Sequence, residues 1–304
     1  MTDLGTPNAA GDGSVTVVVP LYNGERFIRR ALDGVLRQTR PATQIVVVDD
    51  ASPDGSREIV AREYGDRVTL ISKQNEGAAQ ARNTGLKAAT GEFIAFLDQD
   101  DFWEPTKLEV QVPVLQTRPE LVGTYTGLRV ISEQGEHLSD MLPVPPATLV
   151  RSLRWCNPGL PPSSALLRRS AVERVGGFAA HLTGTEDWNL WCKLVRVGPF
   201  ATTPEPLTFY QSSTIGVSGD PDLVFTGFLQ ILDEDLLSDL SGLQRSLWRR
   251  RIISYQAYKS SLTARAAGQK TKEWEYMKKS FLTWPSPFWA PERFKSFAVT
   301  VMRS

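Results

Sequence analysis

The stretch Gln74–Leu108, QNEGAAQARNTGLKAATGEFIAFLDQDDFWEPTKL, decides how this chain reads. It opens as a helix of small residues from Gly77 to Ala89 and stops at Gly91. It then runs through a short apolar strand, Phe93 to Leu97, and ends in Asp98, Asp100 and Asp101. Carboxylates this close repel one another and hold their protons unless a cation sits among them. Hard oxygen donors at the carboxyl end of a strand suit Mg2+ or Mn2+ bound together with a diphosphate. The ordinary alternative is a solvated turn whose acids cap the next helix. An isolated Asp-x-Asp is common by chance and taken alone favours that alternative; its surroundings decide the matter.

Upstream, Val15 to Pro20 is a continuous β-branched run, the mark of a strand buried on both faces. Tyr22-Asn23-Gly24 makes a turn, after which Phe27, Ile28, Ala31, Leu32, Val35 and Leu36 recur at helical spacing. Ile45 to Val48 is a second buried strand and runs straight into Asp49-Asp50. Ser52 to Ser56 supplies turn and cap chemistry for a helix over Arg57 to Tyr64, and Arg67 to Ser72 reads as a third strand. Strand and helix thus alternate four times with short connections, which predicts a parallel α/β sheet of right-handed units. Its carboxyl edge gathers Pro20–Asn23, Asp49–Asp50, Asn75 and Asp98–Asp101, at the place where open α/β sheets bind ligands.

Downstream the pattern is less regular. Leu121 to Ile131 predicts one or two strands, Pro143 to Pro146 a loop, and Ser163 to Leu167 a strand passing into a helix over Ser170 to Val175. Gly198 to Tyr210 reads as a loop and a short strand. Between them, Trp188, Trp191, Leu194 and Val195 share one helical face. Glu186 and Asp187 stand at that helix's start, where the dipole favours acids and where acids are ordinary.

Composition narrows the class. The 304 residues are 41% apolar and 22% charged, typical of a soluble globular protein. Net charge is zero, so the whole chain offers no electrostatic case for nucleic acid. Two cysteines, Cys156 and Cys192, suggest neither a metal cluster nor a disulfide scaffold, so a reduced, cytoplasmic setting is expected. Residues 1–14 read as a disordered polar tail without a signal peptide, and no apolar run reaches the length of about 18 residues that a membrane span needs. The zero conceals an asymmetry. From Gln244 onward there are 13 Lys/Arg against 3 Asp/Glu, leaving 21 against 31 upstream.

In their order, these pieces resemble the family-2 glycosyltransferases over Val15 to about Ser218. Val17-Val18-Val19-Pro20-Leu21-Tyr22-Asn23 matches the opening strand and turn, and Ile45 to Ser52 the second strand. Asn75-x-Gly77 with Ala81-Arg82-Asn83-x-Gly85 matches the helix segment. Gly91 to Asp101 matches the strand with the Asp-x-Asp motif, and Gly176-Gly177-Phe178 with Glu186-Asp187-Trp188 the acceptor side. The resemblance implies the GT-A fold, a Rossmann-like, mostly parallel sheet flanked by helices, over residues 15–218. It implies an inverting transfer from a nucleoside-diphosphate sugar to a hydroxyl of a glycan or lipid-linked acceptor, in polysaccharide, glycolipid or cell-wall glycan assembly. By that resemblance Pro20, Tyr22 and Asp50 hold the base, and Asn75 and Arg82 support the base and diphosphate. Asp98 meets the ribose, or the metal through water, Asp100 binds Mg2+ or Mn2+, and Asp187 is the general base. The rivals are a nucleotidyltransferase and a silent nucleotide-sugar-binding module. The first lacks its Gly-rich phosphate loop, since Pro20-Leu21-Tyr22-Asn23 stands there; the second is opposed by the presence of both Asp100 and Asp187.

One departure stands out. Relatives often carry Tyr-Arg-x-His where this chain reads Tyr210-Gln211-Ser212-Ser213, so the metal has one protein ligand fewer unless His181 compensates. Residues 219–304 read as a basic, aromatic-rich helical region including Trp248, Trp274, Trp284 and Trp289. Its aromatics and cations predict either peripheral contact with an anionic membrane, at the inner face of the cell membrane, or packing against the acidic catalytic domain. No motif supports nucleic acid.

Overall fold

The computed structural model describes residues 12–155, 159–212, 220–286 and 292–303. The chain forms two compact units, with residues through Pro146, Leu160–Phe178 and Leu194–Gln211 in the first. The second takes Ala147–Gly159, Ala179–Lys193 and the residues from Ser212 on.

In the first unit the two apolar runs become β1 (Val15–Leu21) and β2 (Gln44–Asp49), paired in parallel from Thr16–Gln44 to Leu21–Asp49. The predicted alternation follows. Helix α1 (Ile28–Leu36) is succeeded by β2, α2 (Ser56–Ile59) running on into a wider turn to Tyr64, β3 (Thr69–Ser72), α3 (Ala78–Ala88) and β4 (Phe93–Phe96). Val17 and Val19 join Ile28, Leu32 and Val35 in one core, while Val18 faces α3. That is why β1 has no polar alternation: both of its faces are covered. Helix α3 comes so close to the sheet that a β-carbon on Gly85 would lie 2.2 Å from Val18 Cγ1.

Chain order and sheet order part company at β1. The sheet runs β3-β2-β1-β4, so the chain builds outward from β1 on one side and returns to build on the other. Such a reversal opens a crevice beyond the carboxyl ends of the strands. The remaining strands are β5 (Phe102–Trp103), β6 (Gly123–Ile131), β7 (His137–Met141), β8 (Ala165–Arg168) and β9 (Phe200–Gln211), with α4 (Lys107–Thr117) and α6 (Arg169–Arg174) between them. They complete the order as β4-β8-β6-β9-β5, with β7 on β6. Pairing is antiparallel at β4–β8, β8–β6, β6–β7 and β9–β5, and parallel again at β6–β9.

Two expectations need correction here. Gly198 to Tyr210 is mostly strand, because β9 spans 12 residues. Its register against β6 jumps between Thr126 and Leu128, and Pro204 and Pro206 fall in the jump, where no ladder bond needs the N–H they lack. The loop at Pro143–Pro146 gives way to a helix, α5 (Pro146–Trp155), with proline at its first position, where a missing N–H costs nothing.

The second unit is helical. It combines α5, α7 (Glu186–Leu194), α8 (Pro221–Ile231), α9 (Gly242–Ala266), α10 (Lys270–Thr283) and α11 (Glu292–Arg303). The division thus crosses the boundary expected near residue 218, because the apolar faces of α5 and α7 find their cover among the later helices. Trp188 donates from Nε1 to the Leu153 carbonyl (2.7 Å) and stacks on Phe228 at 5.7 Å, and Trp155 packs on Trp248 at 4.6 Å. The aromatics of the basic region largely pair among themselves, as in Trp274–Phe297 and Phe281–Phe294 at 5.8 and 4.8 Å. Trp289 lies outside the described residues. So does the expected tail through residue 11, whereas Gly13 donates its N–H to the Glu92 carboxylate at 2.9 Å.

Candidate active site

The chain leaves β4 in a tight turn, closed by Asp101 N–H donating to the Asp98 carbonyl at 3.0 Å. Each residue of this turn is held differently. The Asp98 carboxylate takes a 2.6 Å bond from Arg82 Nη2 on α3, and its N–H donates to Ser163 Oγ at 3.1 Å. Gln99, the unspecified residue of the motif, brackets Tyr22: it accepts from the Tyr22 N–H at 2.8 Å and donates to its carbonyl at 2.9 Å. Asp101 is buried and accepts from the Gln211 N–H at 3.0 Å. Burial, followed by the charges of Asp100 and Asp98, holds the Asp101 carboxyl well above the usual range.

Asp100 is different. No other described residue donates to its carboxylate or pairs with it. Burial and the neighbouring charge of Asp98 push its pKa up to about 6. The three acids of the turn are therefore not equivalent. Asp98 is neutralised by an arginine and Asp101 is sunk into the sheet, while Asp100 keeps a half-exposed carboxylate that Arg30 and Arg82 favour without bonding it. Crowded acids of this kind are the setting in which a bound cation changes the local balance of charge. Among the described residues no group of three His, Cys, Asp or Glu could hold a metal alone. Mg2+ and Mn2+ need no such group, since one or two carboxylates suffice when a substrate's phosphates supply the rest.

The next two strand ends carry the residues read as base-holding. Pro20 is buried in β1, and Tyr22 is 48% exposed just beyond it. The Asp50 N–H donates to the Leu21 carbonyl at 2.8 Å, drawing the two strand ends together. Asp50 is buried and its carboxylate is already engaged. It accepts from Lys73 Nζ (2.9 Å), from the Glu76 N–H (3.1 Å) and from the Gly77 N–H (2.7 Å). It ties down the segment that leads into α3, so a ring N–H of a base would share an occupied acceptor. Asn75 lies on that segment and is exposed. The ion pair of Lys73 with Asp50 and Glu76 has no counterpart in the sequence reading.

Arg82 and Asn83, adjacent on α3, face separate tasks. Arg82 is buried, bonds Asp98 and lies over the Phe178 ring at 5.2 Å. Asn83 Nδ2 donates to the Phe178 carbonyl (2.8 Å), and the Phe178 N–H donates back to Asn83 Oδ1 (2.9 Å). Gly177 permits this closed pair: its φ is +68°, and a β-carbon there would sit 2.5 Å from Asn83 Oδ1. The two motifs quoted from α3 and from Gly176–Phe178 are thus one piece of structure.

Asp187 belongs to the second unit, in the first turn of α7, where its carboxylate accepts from the Trp188 N–H at 2.6 Å. His181 is exposed in the same unit, and Ser213 lies outside the described residues. Sequence reading missed Arg30, Gln99, Ser163 and Gln211, all of which touch the turn. Nothing in spacing could have found the Arg30–Gln211 contact, which joins residues 181 positions apart.

A sheet that reverses order at β1 and carries an acidic turn on its carboxyl edge has the GT-A architecture. The chain belongs to glycosyl transferase family 2, whose model matches residues 16–176, more than half of its length. An uncharacterized glycosyltransferase of Rickettsia felis is 36% identical over 196 residues, 61% of this chain and 32% of that protein. The chain therefore spans about a third of that relative's length. Among solved structures, S. aureus TarS in complex with UDP-GlcNAc superposes with a TM-score of 0.64 at 18% identity, covering 88% of this chain and 81% of TarS. The mannosyltransferase PcManGT from Pyrobaculum calidifontis, in complex with GDP-Man and Mn2+, gives 0.55 at 22% identity, covering 98% of this chain and 89% of its own. At these identities the likeness speaks for the fold.

Proposed function

We propose that this protein is a metal-dependent, inverting glycosyltransferase that moves a sugar from a nucleoside diphosphate to a hydroxyl of a glycan or lipid-linked acceptor. The observation that carries the reading is the open carboxylate of Asp100, set on the carboxyl edge beside an Asp98 already paired with Arg82. Asp100, with Asp98 next to it, would hold Mg2+ or Mn2+, which neutralises charge on the departing diphosphate. Arg82 Nη2 pairs with Asp98 Oδ1 and holds that carboxylate beside Asp100. Tyr22, braced through its backbone by Gln99, offers an exposed ring to the base, and Pro20, Asp50 and Asn75 complete that side. Asp187 would take the proton of the acceptor hydroxyl. A single base, with no second carboxylate acting as nucleophile, corresponds to direct displacement with inversion. The donors named in the TarS and PcManGT complexes, UDP-GlcNAc and GDP-Man, support the nucleotide-sugar class.

Calorimetric titration with UDP, GDP, CMP and dTDP, each with and without Mn2+, tests this. One diphosphate is expected to bind tightly and only with metal. Metal-independent binding of all four, or of none, would remove the assignment.

A cytoplasmic protein touching the inner membrane face is part of the same reading. No helix among the described residues is long and apolar enough to cross a membrane. The second unit does expose Leu243 (76%) and Leu282 (82%), and Arg250 joins their helices by donating to the Thr283 carbonyl at 3.2 Å. Lys278 and Lys279 are exposed on the last turns of α10. An exposed leucine with two exposed lysines one turn before it suits an anionic lipid surface. Co-sedimentation with phosphatidylglycerol vesicles is expected for the full chain, and weakened for Leu243→Ser combined with Leu282→Ser. Failure of the unaltered protein to bind such vesicles ends the idea.

A further inference from the structure

Arg30, on α1, reaches the acidic turn from beneath. Its Nη2 donates to two acceptors on different elements: the backbone carbonyl of Asp100 at 2.8 Å and the side-chain Oε1 of Gln211, at the end of β9, at 2.6 Å. Gln211 in turn donates its N–H to Asp101 Oδ1 at 3.0 Å. Arg30, Asp100, Asp101 and Gln211 thus close a ring of contacts around the turn. The guanidinium is fixed in its plane as well. It lies 4.6 Å over the Phe102 ring, which stacks on Phe209 at 4.2 Å with 8° between the planes. Gln211 is buried and Arg30 half-buried.

We propose that Arg30 is a positioning residue that sets the direction of the Asp100 carboxylate by clamping the Asp100 peptide against the end of β9. The inference rests on the reading of Asp100 as the metal-binding carboxylate. Its physical content is specific. Every other hold on the turn acts on Asp98, Gln99 or Asp101, and Arg30 alone among the described side chains bonds Asp100 itself. A held carbonyl between two pinned neighbours fixes the Asp100 backbone and so the direction of its Cα–Cβ bond, which leaves only the side-chain torsions to be ordered when a cation arrives. Arg30 forms no ion pair within 4.0 Å of a carboxylate among the described residues, which makes its role here a fork between two neutral oxygens. Lysine falls short of it: an ammonium has donors enough, but its stem is shorter and it gives up the stacking on Phe102 that holds the guanidinium at the turn.

That difference supplies the test. Arg30→Lys keeps the positive charge beside the acids, so any change reports the clamp and not the field. Gln211→Met removes the second acceptor while leaving the 211 N–H to Asp101 in place. The readout is the Mn2+ concentration that half-saturates binding of the nucleoside diphosphate the protein prefers, measured by calorimetry beside a circular-dichroism melt. Groups that orient a metal's ligand are typically worth 10–100-fold in metal affinity, so Arg30→Lys should raise the half-saturating Mn2+ about tenfold or more. Gln211→Met should raise it by less, and the double variant should fall short of the product of the two because they share one contact. The circular-dichroism melt of each variant should stay where it is in the unaltered protein, which a general loosening of the fold would not allow. Half-saturation within about twofold of the unaltered protein in both folded single variants overturns the proposal while leaving the transferase reading in place. An unaltered protein whose nucleotide binding ignores Mn2+ overturns both.

Discussion

Asp100→Ala is expected to abolish Mn2+-dependent nucleotide binding and to lower transfer by about a thousandfold or more, equivalent to roughly 4 kcal/mol of transition-state stabilisation. The size of the effect follows from the division of labour in the turn. Asp98 already answers to Arg82 and Asp101 to the Gln211 amide, so neither can swing in to replace the lost carboxylate. Asp100 also gives the metal step a pH signature. Its pKa is pushed up to about 6, so below that pH it carries a proton that a cation must displace. Mn2+ affinity should therefore be steady above pH 7 and weaken as the pH falls through 6, by at most about tenfold per unit for one competing proton. In Asp100→Ala no Mn2+ dependence should appear at any pH in the same range. Calorimetry at pH 5, 6, 7 and 8 reads both. Retention of wild-type Mn2+ dependence by the alanine variant would place the metal elsewhere.

Asp187→Asn carries the second large effect. Asparagine keeps the size and the acceptor that takes the Trp188 N–H in the first turn of α7, but it cannot take a proton. A positioned general base is worth about a hundred- to ten-thousandfold, and the loss should fall in that range on kcat. Nucleotide and Mn2+ binding should stay at wild-type strength, because that machinery sits on the first unit. Glu186→Gln, one residue away, should cost little and so reports any general effect of removing charge from this helix start. A fully active Asp187→Asn enzyme would exclude Asp187 as the base.

The extent to which this protein could be read in advance differs from element to element. Val15 to Pro20 and Ile45 to Val48 could be placed as buried parallel strands because their residues show no polar alternation, a local property that survives whatever surrounds it. The acidic turn was legible for the same reason: three carboxylates crowded at the end of an apolar strand are a chemical fact of adjacency. Strand β9 was harder. Two prolines argue against a strand interior, and only a register jump on its partner makes room for them. Helix α5 hid behind the Pro143–Pro146 run, whose last residue proved to be its start. The boundary near residue 218 followed the charge change, whereas the chain groups its units by which apolar faces cover one another, as Trp188 and Trp155 do among the later helices.

Within the site the division is sharper still. Residue type and order alone determined the parallel strands about β1 and the acids that gather at their carboxyl edge, since periodicity and adjacency are written along the chain. Which acid stays open was decided by the tertiary structure. Asp98, Asp100 and Asp101 are near-equals in sequence; Arg82, Gln211 and Arg30, brought from positions 82, 211 and 30, make one paired, one buried and one available. A carboxylate's chemistry depends on what lies within a few ångströms of it, and folding alone decides which distant residues those are.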